Sequence, residues 1–221
     1  MTMIQNQLSA VRDRIHAACM ACGRAPEAVT LLVVSKTFGA DAVLAAHEAG
    51  QTAFGENYIQ EAVQKITALG HLPLQWHCIG PIQSNKSRLV AEHFDWVHTV
   101  DRLKIAQRLS EQRPVALAPL QVCIQVNVDG GPTKSGVLPA QALALAREVA
   151  ALPRLVHQPV ARSRMLPFMV FLQKGCKKSR AVPAACNAPV RAPAALARMA
   201  RPSAPPIMKA VLTMPDARPE S

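Results

Sequence analysis

A lysine that closes an apolar run is an amine with a fixed address, and Thr30-Leu31-Leu32-Val33-Val34-Ser35-Lys36 is such a run. Its β-branched and aliphatic residues read as a buried strand, and a continuous apolar strand suggests a parallel sheet covered on both faces. Reacting groups in parallel α/β folds sit at the carboxyl ends of the strands, which places the Lys36 amine at that rim. A partly desolvated amine there can condense with an aldehyde to a Schiff base. The alternative is a lysine that ends its strand and snorkels into water. Asn57 follows a second such run, Thr52-Ala53-Phe54-Gly55-Glu56, and so lies in the same layer as Lys36; an amide after a strand can also simply close a turn. His77 and Asn127 end strands too, each with a satisfied structural role as the competing reading. Asn85, Lys86 and Arg88 read as a basic helix start on a solvated face. Cys19-Met20-Ala21-Cys22 has the spacing of metal and redox sites, but no second pair at that spacing accompanies it. Two thiols near a helix end is the simpler reading.

These residues need elements to hold them. Leu8, Val11, Ile15 and Cys19 recur at helical spacing, and Gly23 and Pro26 end that helix. Strands are expected at Thr30–Lys36, Thr52–Glu56, Leu74–Ile79, Trp96–Val100 and Leu120–Val128. The helices between them are expected at 40–50, at 58–69, from Ser84 as N-cap to His93, from Asp101 as cap to Gln112, and at 140–152. Five strand and helix units in succession argue for a (β/α) barrel or a doubly wound sheet. No Gly-x-Gly-x-x-Gly follows the first strand and no Walker glycine loop occurs, which favours the barrel and leaves nucleotide binding of those kinds unsupported.

The 221 residues suffice for one sizeable domain. No apolar run reaches the roughly 18 to 20 residues of a membrane span, and the amino terminus lacks a signal-like pattern. The expectation is a soluble, cytoplasmic protein whose six cysteines are reduced. The net charge of +11 is unevenly placed. Met1–Val156 carries 14 Lys and Arg against 12 Asp and Glu, whereas His157–Ser221 carries 11 against 2 together with 10 of the 18 prolines. The chain is therefore divided into residues 1–156, the barrel portion, and 157–221, a basic Pro/Ala/Arg-rich tail expected to be irregular apart from a short strand at Leu166–Leu172. A nucleic-acid partner would have to act through this tail. Without interleaved aromatics its contacts would be salt-sensitive and blind to sequence.

Four stretches carry a resemblance: Val33-Val34-Ser35-Lys36-Thr37; Phe54-Gly55-Glu56-Asn57-Tyr58 with Gln60 and Glu61; Trp76-His77-Cys78-Ile79-Gly80-Pro81-Ile82-Gln83-Ser84-Asn85-Lys86; and Ile124-Gln125-Val126-Asn127 with Lys134-Ser135-Gly136. In this order and at these intervals the chain closely resembles the pyridoxal phosphate homeostasis protein family, which is similar to the barrel domain of alanine racemase standing alone. The likeness runs to about Val156. It implies an α/β (β/α) TIM-type barrel of the alanine racemase N-terminal kind. It also implies pyridoxal 5'-phosphate (PLP) as cofactor, Lys36 as the residue bearing the Schiff base, and Asn57 near the cofactor ring. By that resemblance the protein carries PLP without turnover and hands it to PLP-dependent apo-enzymes. A racemase-like enzyme is the alternative; it would need a second acid/base group on the opposite face of the ring.

The family also ends in a Ser-Met-Gly-Met-Ser run and a Val-Arg-x-Gly-Thr segment that cradle the cofactor phosphate, and His157–Ser221 matches neither. The barrel is accordingly expected to be incomplete, with the outer edge of the first strand unpaired, and to bind PLP poorly. Text rich in Ala, Pro and Arg is what GC-rich coding DNA yields out of frame, so the tail is read as a frameshift product. Finding the missing run in another frame of the coding DNA tests that reading.

Overall fold

The computed structural model describes residues 2–128, 134–158 and 208–213. Helix α1 (Met3–Ala21) opens on a capping box in which the Gln5 N–H donates to Thr2 Oγ1 and the Thr2 N–H to Gln5 Oε1. Strands and helices then alternate: β1 (Val29–Val34), α2 (Ala40–Glu48), β2 (Ala53–Glu56), α3 (Ile59–Ala68), β3 (Gln75–Cys78), α4 (Ser87–His93), β4 (Trp96–Val100), α5 (Leu103–Gln112), β5 (Leu120–Ile124), α6 (Pro139–Ala150) and β6 (Leu155–His157). A last strand, β7, covers Met208–Thr213. All strand pairs are parallel, in the order β6-β5-β4-β3-β2-β1-β7. This is the α/β barrel-type succession read from the sequence, and among the described residues it does not close, since β6 and β7 do not pair.

Strands β1 and β2 place residues in two buried environments. Val33, Phe54, Trp76, Cys78, Val97, Leu120 and Val122 pack with helix residues such as Val43, Ala62, Val90 and Leu109 in one large core. On the opposite face Leu32, Val34, Ala53 and Ile79 form a smaller cluster. Leu32, Val33 and Val34 are at most 1% exposed. Burying three such side chains is worth roughly 5–9 kcal/mol as an upper bound, which is why β1 is a firm base for whatever follows it.

Several boundaries differ from the sequence reading. The limit at Val156 falls inside β6, a strand too short to show as a period. The outer edge of β1, expected to be unpaired, pairs with β7 from Val29↔Met208 to Val34↔Thr213, so the tail holds one regular strand. The rest of the tail, including Leu166–Leu172, lies outside the described residues. Strand β5 stops at Ile124 rather than Val128, because beyond it Val126 makes only an isolated bridge to Val137. Ser84 does not cap α4: Ser84–Lys86 form a 3-10 turn and the helix begins at Ser87. Nor does Asp101 cap α5, which starts after Arg102; the Asp101 carboxylate instead receives the Arg102 guanidinium at 2.8 Å.

Candidate functional site

Two strand ends build the site. The Ser35 N–H donates to Gly55 O at 3.0 Å, prolonging the β1–β2 ladder past its register pair Val34↔Gly55. Lys36 is the second residue beyond β1 and Asn57 the first beyond β2, so the two lie just past the carboxyl ends of neighbouring parallel strands. Lys36 is partly buried, and among the described residues its ammonium has no hydrogen-bond or ion-pair partner. Asn57 is partly buried as well, and its Oδ1 is shielded from solvent and, among the described residues, without a hydrogen-bond partner. Gly80 presses on this corner: a Cβ there would lie 2.4 Å from the Asn57 carbonyl oxygen, so only glycine fits.

Lys36 sits in a closed turn. The Phe38 N–H donates back to Ser35 O at 3.1 Å, making Lys36 and Thr37 the central residues. Thr37 has φ +70°, the left-handed value that the third position of a type II turn demands and that glycine usually supplies. A β-branched residue there stores strain of order 1–3 kcal/mol, which persists only where the surroundings enforce it.

Beneath the turn, on the helix side of the sheet, lies a buried polar cluster that the sequence reading missed. Lys65 of α3 donates to Glu56 Oε1 at 2.7 Å and to Ser35 O at 2.8 Å, and Ser35 Oγ donates to the same Glu56 oxygen at 2.6 Å. The Glu56 side chain is 0% exposed and that of Lys65 9%. Burial pushes the Glu56 carboxyl above its ordinary value, with the hydrogen bonds from Lys65 and Ser35 pulling it back. A signal existed: a glutamate inside an apolar strand covered on both faces must find a cation.

The other sequence candidates are placed elsewhere. His77 is fully buried, with Nε2 3.0 Å from Gln75 Oε1 and Nδ1 3.0 Å from His98 Nε2, and it stacks on Trp96 at 5.4 Å between centroids. That is a satisfied interior role. Asn127 closes the loop after β5: its Nδ2 donates to Lys134 O at 3.2 Å and its N–H to Val137 O at 2.8 Å. Gly136, at φ +119°, passes so near that a Cβ would lie 2.8 Å from Asn127 N. Asn85 and Arg88 are exposed and Lys86 partly so, on the turn and helix after β3. Cys19 is buried and Cys22 exposed, with Cys22 Sγ 3.4 Å from Cys19 O. Among the described residues no group of three or more His, Cys, Asp or Glu could hold a metal ion, and no helix is long and apolar enough to cross a membrane.

A parallel sheet of barrel type, with an amine and an amide at neighbouring strand ends that are unpaired among the described residues, defines the class: a β/α scaffold that presents a lysine at the carboxyl rim. Within that class the chain belongs to the family described as alanine racemase, N-terminal domain, whose family model matches residues 7–161. It is 57% identical over 158 residues to the pyridoxal phosphate homeostasis protein of Escherichia coli, a match covering 70% of this chain and 68% of the relative. The protein of that name from Pseudomonas aeruginosa is 59% identical over 155 residues, with 70% and 67% covered. Among solved structures, PipY of Synechococcus elongatus with PLP bound is similar at a TM-score of 0.59 and 34% identity, covering 71% of this chain and 68% of that one.

Proposed function

We propose that this chain is a PLP-binding protein of PLP homeostasis that carries the cofactor as a Schiff base on Lys36, without turnover of its own. The observation that carries this reading is the placement of Lys36 and Asn57 just past adjacent strand ends, with the Asn57 Oδ1 buried and, among the described residues, lacking a donor. A ligand O–H or N–H would satisfy that acceptor, so the residues present fit the cofactor. When bound, PLP supplies an aldehyde carbon that condenses reversibly with an amine, releasing water. This chain's part is to hold the Lys36 amine on the turn after β1 and to set the Asn57 amide at the end of the neighbouring strand. The names of the relatives support homeostasis over turnover, and the PLP in the PipY structure supports the cofactor. Hand-over to PLP-dependent apo-enzymes belongs to the same reading.

Borohydride reduction after incubation with PLP, followed by peptide mapping, tests the assignment. The expected adduct is on Lys36; Lys36→Ala abolishes the visible absorbance of bound cofactor, whereas Asn57→Ala only weakens it. A reducible adduct on another barrel residue of the Lys36→Ala variant would refute it. Racemisation of an amino acid by the loaded protein would refute the absence of turnover.

A further inference from the structure

We infer that Lys65 and Glu56 are positioning residues for Lys36: their buried pair fixes the turn that presents the Lys36 amine to an oriented aldehyde ligand. The inference rests on the reading of Lys36 as the PLP-bearing residue. Ser35 O belongs to the peptide bond that leads into Lys36, and it accepts two hydrogen bonds, from the Phe38 N–H that closes the turn and from Lys65 Nζ. Both lone pairs of this one carbonyl are thus used, and the peptide plane before Lys36 cannot rotate without breaking a buried bond. Glu56 holds Lys65 in place and also receives Ser35 Oγ, while its own peptide leads into Asn57. One cluster therefore grips the residue ahead of each half of the site. A well-packed apolar pair usually serves stability as well as a buried ion pair or better. What an apolar pair cannot supply is the hydrogen bond to Ser35 O. The strained φ of Thr37 also needs an enforcing contact, and this cluster is adjacent to it.

The test compares the full-length chain with two double variants. Glu56→Leu with Lys65→Met removes the bond to Ser35 O but keeps the volume apolar and filled. Glu56→Gln with Lys65→Gln is uncharged but retains N–H donors facing Ser35 O. Two rates are read at Lys36 by mass spectrometry: borohydride-trapped adduct formation with PLP, and reductive methylation with formaldehyde, normalised to the exposed Lys104. Formaldehyde needs no orientation. In the apolar variant, PLP loading is expected to fall at least tenfold while methylation stays within twofold and thermal unfolding stays cooperative. The Gln/Gln variant is expected to load within threefold of wild type. Unchanged loading in the apolar variant overturns the inference. So does a parallel fall in both rates, which marks local unfolding, or a tenfold loss in the Gln/Gln variant, which carries the test alone if the apolar one does not fold. Failure of the wild-type chain to take PLP on Lys36 is a different result; it removes the reading beneath.

Discussion

Replacing Lys65 alone by methionine isolates the energetics of the buried cluster. The substitution keeps most of the side-chain volume but takes the cation away from Glu56 Oε1 and the donor away from Ser35 O. Glu56, with a side chain 0% exposed, then retains only the Ser35 hydroxyl. Breaking a buried pair by removing one partner costs about 3–5 kcal/mol, because the remaining charge is uncompensated. With a urea slope of about 2 kcal/mol/M, the unfolding midpoint at pH 7.5 should drop by roughly 1.5–2.5 M. The sign of the pH dependence follows from Glu56, whose carboxyl is already raised above its ordinary value of 4.5 by burial and rises further without Lys65. A raised acid binds its proton more tightly folded than unfolded, so folding gains stability as pH falls through the folded value toward 4.5. The loss caused by Lys65→Met should therefore be smaller at pH 5 than at pH 7.5. Equal losses at the two pH values, or a loss under about 1 kcal/mol, would show that Glu56 is not held as an uncompensated charge.

Three further outcomes are expected. Gly80→Ala, whose Cβ would meet the Asn57 carbonyl oxygen at 2.4 Å, should displace the β2–α3 corner and lower PLP loading more than Asn57→Ala does, as read by trapped adduct. Burial pushes the Cys78 thiol up to about 12, so between pH 7 and 9 alkylation should label the exposed Cys22 and spare Cys78 in the native chain; peptide mapping reads the difference. Without the family's phosphate-cradling segments, PLP affinity should fall by about 3–9 kcal/mol, taking two or three charge-assisted hydrogen bonds at roughly 1.5–3 kcal/mol each, a hundredfold or more. Submicromolar binding by monodisperse protein would contradict this.

Strand β1 is legible as an apolar run stopped by polar residues, and β2 to β5 as short runs rich in apolar and aromatic residues between helical periods; the strand ends are what mark Lys36 and Asn57. Strand β5 reads longer in the sequence than it is because Gln125-Val126-Asn127-Val128 keeps the alternation of a strand while making only the single bridge at Val126. Strand β7 is only weakly marked in the sequence: Met208-Lys209-Ala210-Val211-Leu212-Thr213 is a short, mostly apolar run between Pro206 and Pro215, and the surrounding proline density masks it. Lys65 looked like an ordinary polar position on an amphipathic helix. Its partner Glu56 is nine positions away on a different element, and no helical period joins them. Thr37 gave no signal at all, since threonine has no sequence mark for a positive φ.

The turn at Lys36 bears on how this scaffold could be engineered. Thr37 is the position where a screen for heat resistance would collect easy winners, glycine first, because relaxing a left-handed threonine raises stability without touching the core. Each such winner would lengthen the list of backbone shapes open to the residue that follows Lys36. Selection on melting temperature alone would therefore favour variants that keep the lysine but no longer aim it, and only a second selection on ligand loading would retain the threonine.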